Sequence, residues 1–146
     1  MSTFSYVVTA RSGAQPEQLF ALLSDAPGWP RWAKPAITSG SWVKEGDPPP
    51  GGVGAVRKLG RWPKFGIEEV VASEPPRHHA YRIVRGQPVR AYRADVLLTP
   101  DDGGTLVTWS ATFEPKYPGT GSLLVGFYKW LIGGFARRLA AYAEQS

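Results

Sequence analysis

Cysteine is missing from these 146 residues, and with it go disulfides, thiolate nucleophiles and every cysteine-based zinc or iron–sulfur site. A reducing, cytoplasmic setting fits that absence. Histidine occurs only at His78 and His79, and neighbours on a strand point to opposite faces, so the two cannot chelate one ion together; no metal is expected. Long apolar runs are lacking too. The most apolar stretch, Leu123 to Phe135, is broken by Lys129 and glycines and falls short of the roughly 20 apolar residues that a membrane span requires. The first residues, Met1 to Tyr6, lack the basic region and apolar run of a signal peptide. No Gly-x-Ser-x-Gly elbow, phosphate-binding loop, dinucleotide fingerprint or His-Glu-x-x-His segment occurs, so hydrolase, kinase and dehydrogenase chemistry lose their usual support and no cofactor is expected.

Charge is present in excess of one sign. Seventeen lysines and arginines against twelve acids give a formal charge of +5, which raises nucleic acid or an anionic surface as partners. The basic residues are scattered, adjacent only at Arg57-Lys58 and Arg137-Arg138, and no stacking-aromatic motif accompanies them. A solvated basic surface is the simpler reading, with no nucleic-acid partner.

The length suits one domain, 1–146, with its own core. Phe4 to Ala10 mixes β-branched and aromatic residues before a Ser12-Gly13 turn, a first strand. Pro16 and Glu17 suit the start of a helix carrying Leu19, Phe20, Leu22 and Leu23 and ending near Ser24-Asp25. Trp29-Pro30-Arg31-Trp32 predicts a second short helical turn. Strands are expected at about 36–44, 54–59, 67–74, 79–84, 90–98 and 105–113, separated by Pro- and Gly-rich turns, a spacing that implies an antiparallel meander. Alternation is clearest late: Tyr92, Ala94 and Val96 oppose Arg93 and Asp95, and Val107, Trp109, Ala111 and Phe113 oppose Thr108, Ser110 and Thr112. From about Thr120 to Glu144, Leu124, Phe127, Tyr128, Leu131, Phe135, Leu139 and Tyr142 recur at helical spacing, so a long helix should lie across the dry face. Gly133-Gly134 inside it either permits close packing or leaves space beside a ligand.

In this order the chain resembles the SRPBCC superfamily, the helix-grip fold shared by START lipid-transfer domains, birch-pollen-allergen-like (Bet v 1-like) proteins and bacterial polyketide cyclase/dehydrase proteins, the last subgroup most of all. The resemblance is carried by Pro16 to Asp25 with Trp29 to Trp32, by Glu68-Glu69-Val70-Val71, by Glu74-Pro75-Pro76-Arg77, and by Gly103 to Trp109 before the terminal helix. It implies an α+β fold: a seven-stranded antiparallel sheet gripping the C-terminal helix, two short helices between strands one and two, and a pocket at one end. It does not imply one activity. Segments 60–66 and 86–88 correspond in order to the gating loops of similar receptors.

The expected ligand-binding wall is Tyr81, Ile83, Tyr92, Ala94, Val96, Val107, Trp109 and Phe113 from the sheet, Leu124, Phe127, Leu131 and Phe135 from the helix, and Trp62 and Phe65 at the mouth. Glu68 and Glu69 alternate, so only one of them can face inward; if it does, burial would raise its pKa unless Arg57 on the neighbouring strand pairs with it. With Tyr81 and Tyr92 these are the candidates for proton chemistry, although a water-exposed cross-strand pair is the plainer reading of Arg57 and its glutamate. His78 and His79, after Pro75-Pro76-Arg77, are expected to be exposed. Three functions follow: a carrier or sensor of a small hydrophobic molecule such as a lipid or polyketide, a polyketide aromatase/cyclase or dehydratase-type enzyme in the same cavity, and a homodimer or partner-binding module using Trp42, Trp62 or Trp130.

Overall fold

A computed structural model describes residues 2–145. Strand β1 (Phe4–Ser12) leads into helix α1 (Pro16–Ser24), a 3-10 turn at Ala26–Gly28 and the single turn α2 (Pro30–Ala33). Six further strands follow: β2 (Ser39–Lys44), β3 (Val56–Arg61), β4 (Lys64–Glu74), β5 (His78–Arg85), β6 (Val89–Asp101) and β7 (Gly104–Pro115). Helix α3 (Gly121–Gln145) closes the chain. The sheet is antiparallel with order β1-β7-β6-β5-β4-β3-β2, so every connection from β2 to β7 is a hairpin and only β1 joins across the first-to-last edge. This is the expected meander around a helix.

The alternation seen in the sequence determines what the sheet buries. Tyr92, Ala94, Val96 and Leu98 of β6 and Val107, Trp109, Ala111 and Phe113 of β7 lie inward and almost wholly buried, while Arg93 and Thr112 are exposed. Against them α3 packs Tyr128, Ile132, Phe135, Ala136, Leu139 and Ala143, three to four residues apart and therefore on one helix face. Side chains of this size contribute on the order of 1.5–3 kcal/mol each when fully buried, so this apolar seam dominates the stability of the fold. Two hydrogen bonds tie its closed end: Ser12 Oγ donates to Ala140 O at 2.7 Å, and Thr105 Oγ1 donates to Ala14 O at 2.8 Å.

Helix α1 starts as its sequence predicts. Pro16 takes the first helical position, and the Gln15 backbone N–H donates to Gln18 Oε1 at 2.9 Å, satisfying a donor that the helix leaves free. The helix lays Leu19, Phe20 and Leu23 on the inward face of the sheet. Gly133 and Gly134 are buried, and a β-carbon on Gly133 would stand 3.8 Å from Val8 Cγ1 on β1. That is ordinary contact distance, a β-carbon on Gly134 would meet only Arg138 of the same helix, and neither glycine lines a cavity that could hold a guest. Segment 60–66 is not a free loop: β3 and β4 run to Arg61 and from Lys64, leaving Trp62-Pro63 as the hairpin tip. Trp42, expected on the surface, is partly buried against the core.

Candidate functional site

Between the sheet and α3, beside the Tyr128 ring that packs on Tyr6, Tyr92 and Phe113, a cavity of about 660 Å³ remains. That lies within the range of small-molecule pockets. Its walls come from four places. The sheet supplies Leu59, Glu68, Tyr81, Ile83 and Tyr92; α3 supplies Phe127, Tyr128, Leu131, Ile132 and Phe135; the α1–β2 connection supplies Trp29, Ala36 and Ile37; and two hairpin tips, residues 60–66 and 86–88, form the rim. Trp62 on the first tip is 81 % exposed and still borders the cavity, so the cavity reaches the surface there.

Of the wall expected from sequence, Trp62, Phe65, Tyr81, Ile83, Tyr92, Phe127, Leu131 and Phe135 border this space. Ala94, Val96, Val107, Trp109, Phe113 and Leu124 do not. Trp109 is sealed by Trp29 and Phe135, ring centroids 6.2 and 6.3 Å away, and Phe113 by Phe4, Tyr92 and Tyr128; Ala94, Val96 and Val107 are fully buried in the same packing and Leu124 lies against its edge. Alternation assigns a residue to the inner face but not to the hollow part of it. Trp29, Ala36, Ile37, Leu59, Tyr128 and Ile132 were missed as wall residues. Tyr128 and Ile132 were detectable from their helical spacing to Leu124 and Phe135; the residues between α1 and β2 carry no such signal.

Polar groups converge on the inner wall. Register places Arg57 opposite Glu68 and Glu68 opposite Ile83, and a bulge at Val84 keeps Glu68 level with that inward-facing isoleucine. Glu68 therefore points in. Glu69 points out and pairs with Arg82, whose Nε donates to Oε1 at 2.6 Å in an exposed bridge. Arg57 is fully buried, which overturns the water-exposed reading of its pair: the strand face it occupies is covered by α1 and Trp29. Its Nε donates to Glu68 Oε1 at 3.0 Å and its Nη1 to Leu23 O at 2.9 Å, while its Cζ lies 5.0 Å from the Trp29 ring and 5.2 Å from the Tyr81 ring. Arg57 does not border the cavity; it stands behind Glu68 and orients it. Oε2 of Glu68 has no hydrogen-bond partner among the described residues.

Burial pushes the Glu68 carboxyl above the usual carboxylate range, and the Arg57 guanidinium only partly opposes that rise. The nearby phenols are held neutral. Burial raises Tyr81 and Tyr92 well above the ordinary tyrosine value, with Glu68 adding to the effect, and lifts Tyr128 to about 12. Tyr6 and Tyr92 share a short hydroxyl–hydroxyl hydrogen bond, Tyr81 OH accepts from Trp109 Nε1 at 3.2 Å, and Tyr128 OH donates to Gln87 Oε1 at 2.9 Å. A chamber whose wall is mostly apolar thus carries a carboxyl group that holds its proton more tightly than usual, together with two buried phenols.

His79, expected at an exposed strand start, is completely buried, and neither ring nitrogen has a partner among the described residues. The reason is alternation: His79 shares the inner face with Tyr81, and Phe20 of α1 folds over it edge-on at 6.0 Å. His78 on the outer face touches Glu74 at 3.0 Å and Asp95 at 2.6 Å. No group of histidines and acids able to hold a metal is found among the described residues.

A curved sheet around one long helix, with a chamber at one end of the grip, defines a helix-grip protein of the SRPBCC type. The sequence profile of the family described as polyketide cyclase / dehydrase and lipid transport matches residues 3–144, and the chain belongs to that family. Uncharacterized proteins of Mycobacterium tuberculosis and Mycobacterium bovis are 34 % identical over 134 residues, 88 % of this chain and 78 % of theirs. The crystal structure of Ara h 8.0201 superposes with a TM-score of 0.75 at 21 % identity, covering 99 % of this chain and all of that one; protein XoxI from Bacillus cereus gives 0.74 at 21 %, covering 97 % and 95 %. At that identity the likeness is one of fold.

Proposed function

We propose that the chain binds a small apolar molecule bearing one polar group, as a carrier or sensor, with the polar group against Glu68. The observation that carries this reading is the cavity of about 660 Å³, apolar over most of its wall and bordered by Glu68, one of whose carboxyl oxygens has no hydrogen-bond partner among the described residues. As a carboxylate this group can accept a hydrogen bond from a guest hydroxyl, and as a carboxylic acid it can donate one to a guest carbonyl. Family membership agrees with such a guest.

The test is organic extraction and native mass spectrometry of purified protein, followed by thermal-shift titration with fatty acids, sterols and aromatic polyketones. Binding is expected to raise the melting temperature with ligand concentration, and Ile83→Trp, which fills the chamber from β5, is expected to abolish the shift while the protein stays folded. A panel without a binder, or equal binding by Ile83→Trp, overturns the reading.

A second reading, cyclase or dehydratase chemistry, is favoured by one observation: the carboxyl that faces the chamber is held by Arg57 at a fixed point on the wall, and a positioned carboxyl is a group able to transfer protons. Turnover of a polyketone lost in Glu68→Gln with binding retained separates catalyst from carrier.

A further inference from the structure

The first half of α3 is apolar on the side that faces water. Leu123, Phe127 and Trp130 recur at intervals of four and three residues, which sets them on one helix face, and they are 76 %, 46 % and 70 % exposed. The Phe127 and Trp130 ring centroids lie 6.3 Å apart. Phe127 also borders the cavity, as does Trp62 on the β3–β4 tip. The helix stripe and the hairpin tip therefore flank the same opening.

Cations surround this patch without acids to match. Arg61 and Lys64 flank Trp62 on the rim, the exposed Lys129 precedes Trp130 in sequence and stands about 100° round the helix from it, and the Lys116 backbone N–H donates to Pro88 O at 3.0 Å, fixing that residue beside the other rim hairpin. Arg61, Lys64, Lys116 and Lys129 form no ion pair among the described residues. No aspartate or glutamate occurs from Lys58 to Ile67, from Val84 to Val89, or from Lys116 to Ala143. A symmetric contact with a second copy would bring these uncompensated cations against themselves. An anionic bilayer offers what the patch lacks: negative head groups for the lysines and arginines, and an interfacial layer in which indole rings are stable.

We propose that the mouth of the cavity docks on the surface of an anionic phospholipid bilayer, with Trp62, Phe127 and Trp130 entering the interface and Arg61, Lys64 and Lys129 among the head groups. The inference rests on the cavity reading in one respect: it gives an apolar guest a route between bilayer and chamber that avoids water. No helix among the described residues is long and apolar enough to cross a membrane, so the attachment is peripheral.

The experiment is sedimentation with vesicles of phosphatidylcholine alone and of phosphatidylcholine mixed with phosphatidylglycerol, at low and high salt. Partitioning is expected only onto the anionic vesicles and is expected to fall with salt, with a blue shift of tryptophan emission. Lys129→Gln should weaken it roughly fivefold and Trp130→Ser by at least about tenfold. Neither residue borders the cavity, so ligand uptake from water should be unchanged in both variants. Absence of partitioning onto anionic vesicles, or partitioning indifferent to both substitutions, overturns the proposal, as does a dimer in light scattering that Trp130→Ser dissolves. Vesicle binding by a protein that fails every ligand titration would overturn the cavity reading and leave the docking surface standing.

Discussion

His79 should make this protein sensitive to acid in a way that a single substitution removes. Burial under Phe20, reinforced by Arg57 and His78, depresses its imidazole from 6.5 to about 3. The unfolded chain takes up a proton near pH 6.5 and the folded chain does not, so stability is lost as pH falls from about 6.5 towards 3. Each pH unit in that window costs about 1.4 kcal/mol, and descent from pH 7 to about pH 4 costs about 3 kcal/mol through this residue alone. His78 acts with the opposite sign: its contacts with Glu74 and Asp95 raise its pKa, so its contribution is present at low pH and fades as pH rises through the raised value. The discriminating quantity is therefore the difference between the native protein and His79→Leu in urea unfolding at about pH 7 and pH 4. At neutral pH the leucine variant should be more stable by about 1 kcal/mol, since it removes two ring nitrogens that have no partner among the described residues. At about pH 4 the gap should widen by about 3 kcal/mol. Parallel stability curves for the two proteins would refute the argument and mean that the imidazole reaches solvent or a partner.

Other substitutions examine the packed end and the ion pair separately. Trp109→Ala should destabilise by about 3–5 kcal/mol, read by denaturant unfolding, because the indole is sealed between Trp29, Tyr81 and Phe135. Arg57→Leu should cost about 3–5 kcal/mol at neutral pH by leaving Glu68 without its cation. Infrared spectroscopy of the carboxyl band in that variant should show Glu68 protonated to higher pH than in the native protein, since the guanidinium is what opposes the rise caused by burial. Gly133→Leu should loosen α3 from β1 by about 1–3 kcal/mol through overpacking against Val8, measured as a lower melting temperature.

Much of the fold is legible in residue order. Period-two alternation in β6 and β7 and the helical stripe of α3 are strong local signals, and together they specify which faces meet. The chamber is not legible in the same way. Val96 and Ile83 carry the same inward signal, yet one is packed solid and the other lines open space, because that depends on how far α3 stands from the sheet at each point. Phe135 of α3 packs on Trp109 of β7, while Phe127 and Leu131 of the same helix border the open space. Glu68 was legible only as one of two candidates. Its selection over Glu69 depends on strand pairing across β3, β4 and β5, which no local pattern encodes. The burial of His79 depends likewise on α1 reaching over β5, a contact between segments far apart in the chain.

Arg57 joins the two halves of this molecule. Its Nη1 is held by Leu23 O, the same carbonyl that accepts from Trp29 Nε1 at 3.0 Å, and its planar head contacts the Trp29 and Tyr81 rings, so it is anchored in the packed end. Its other edge holds Glu68 at the boundary of the hollow end. A buried ion pair is weak support for stability, since apolar residues of similar volume commonly do as well or better at the same place. What such residues could not do is hold a carboxyl group at one fixed point on a mostly apolar wall, with one oxygen committed to the arginine and the other without a partner among the described residues. The anchoring of Arg57 by backbone and aromatic rings therefore fixes the place of Glu68 on the chamber wall, and under the proposed function that is preorganisation for a polar group on a guest.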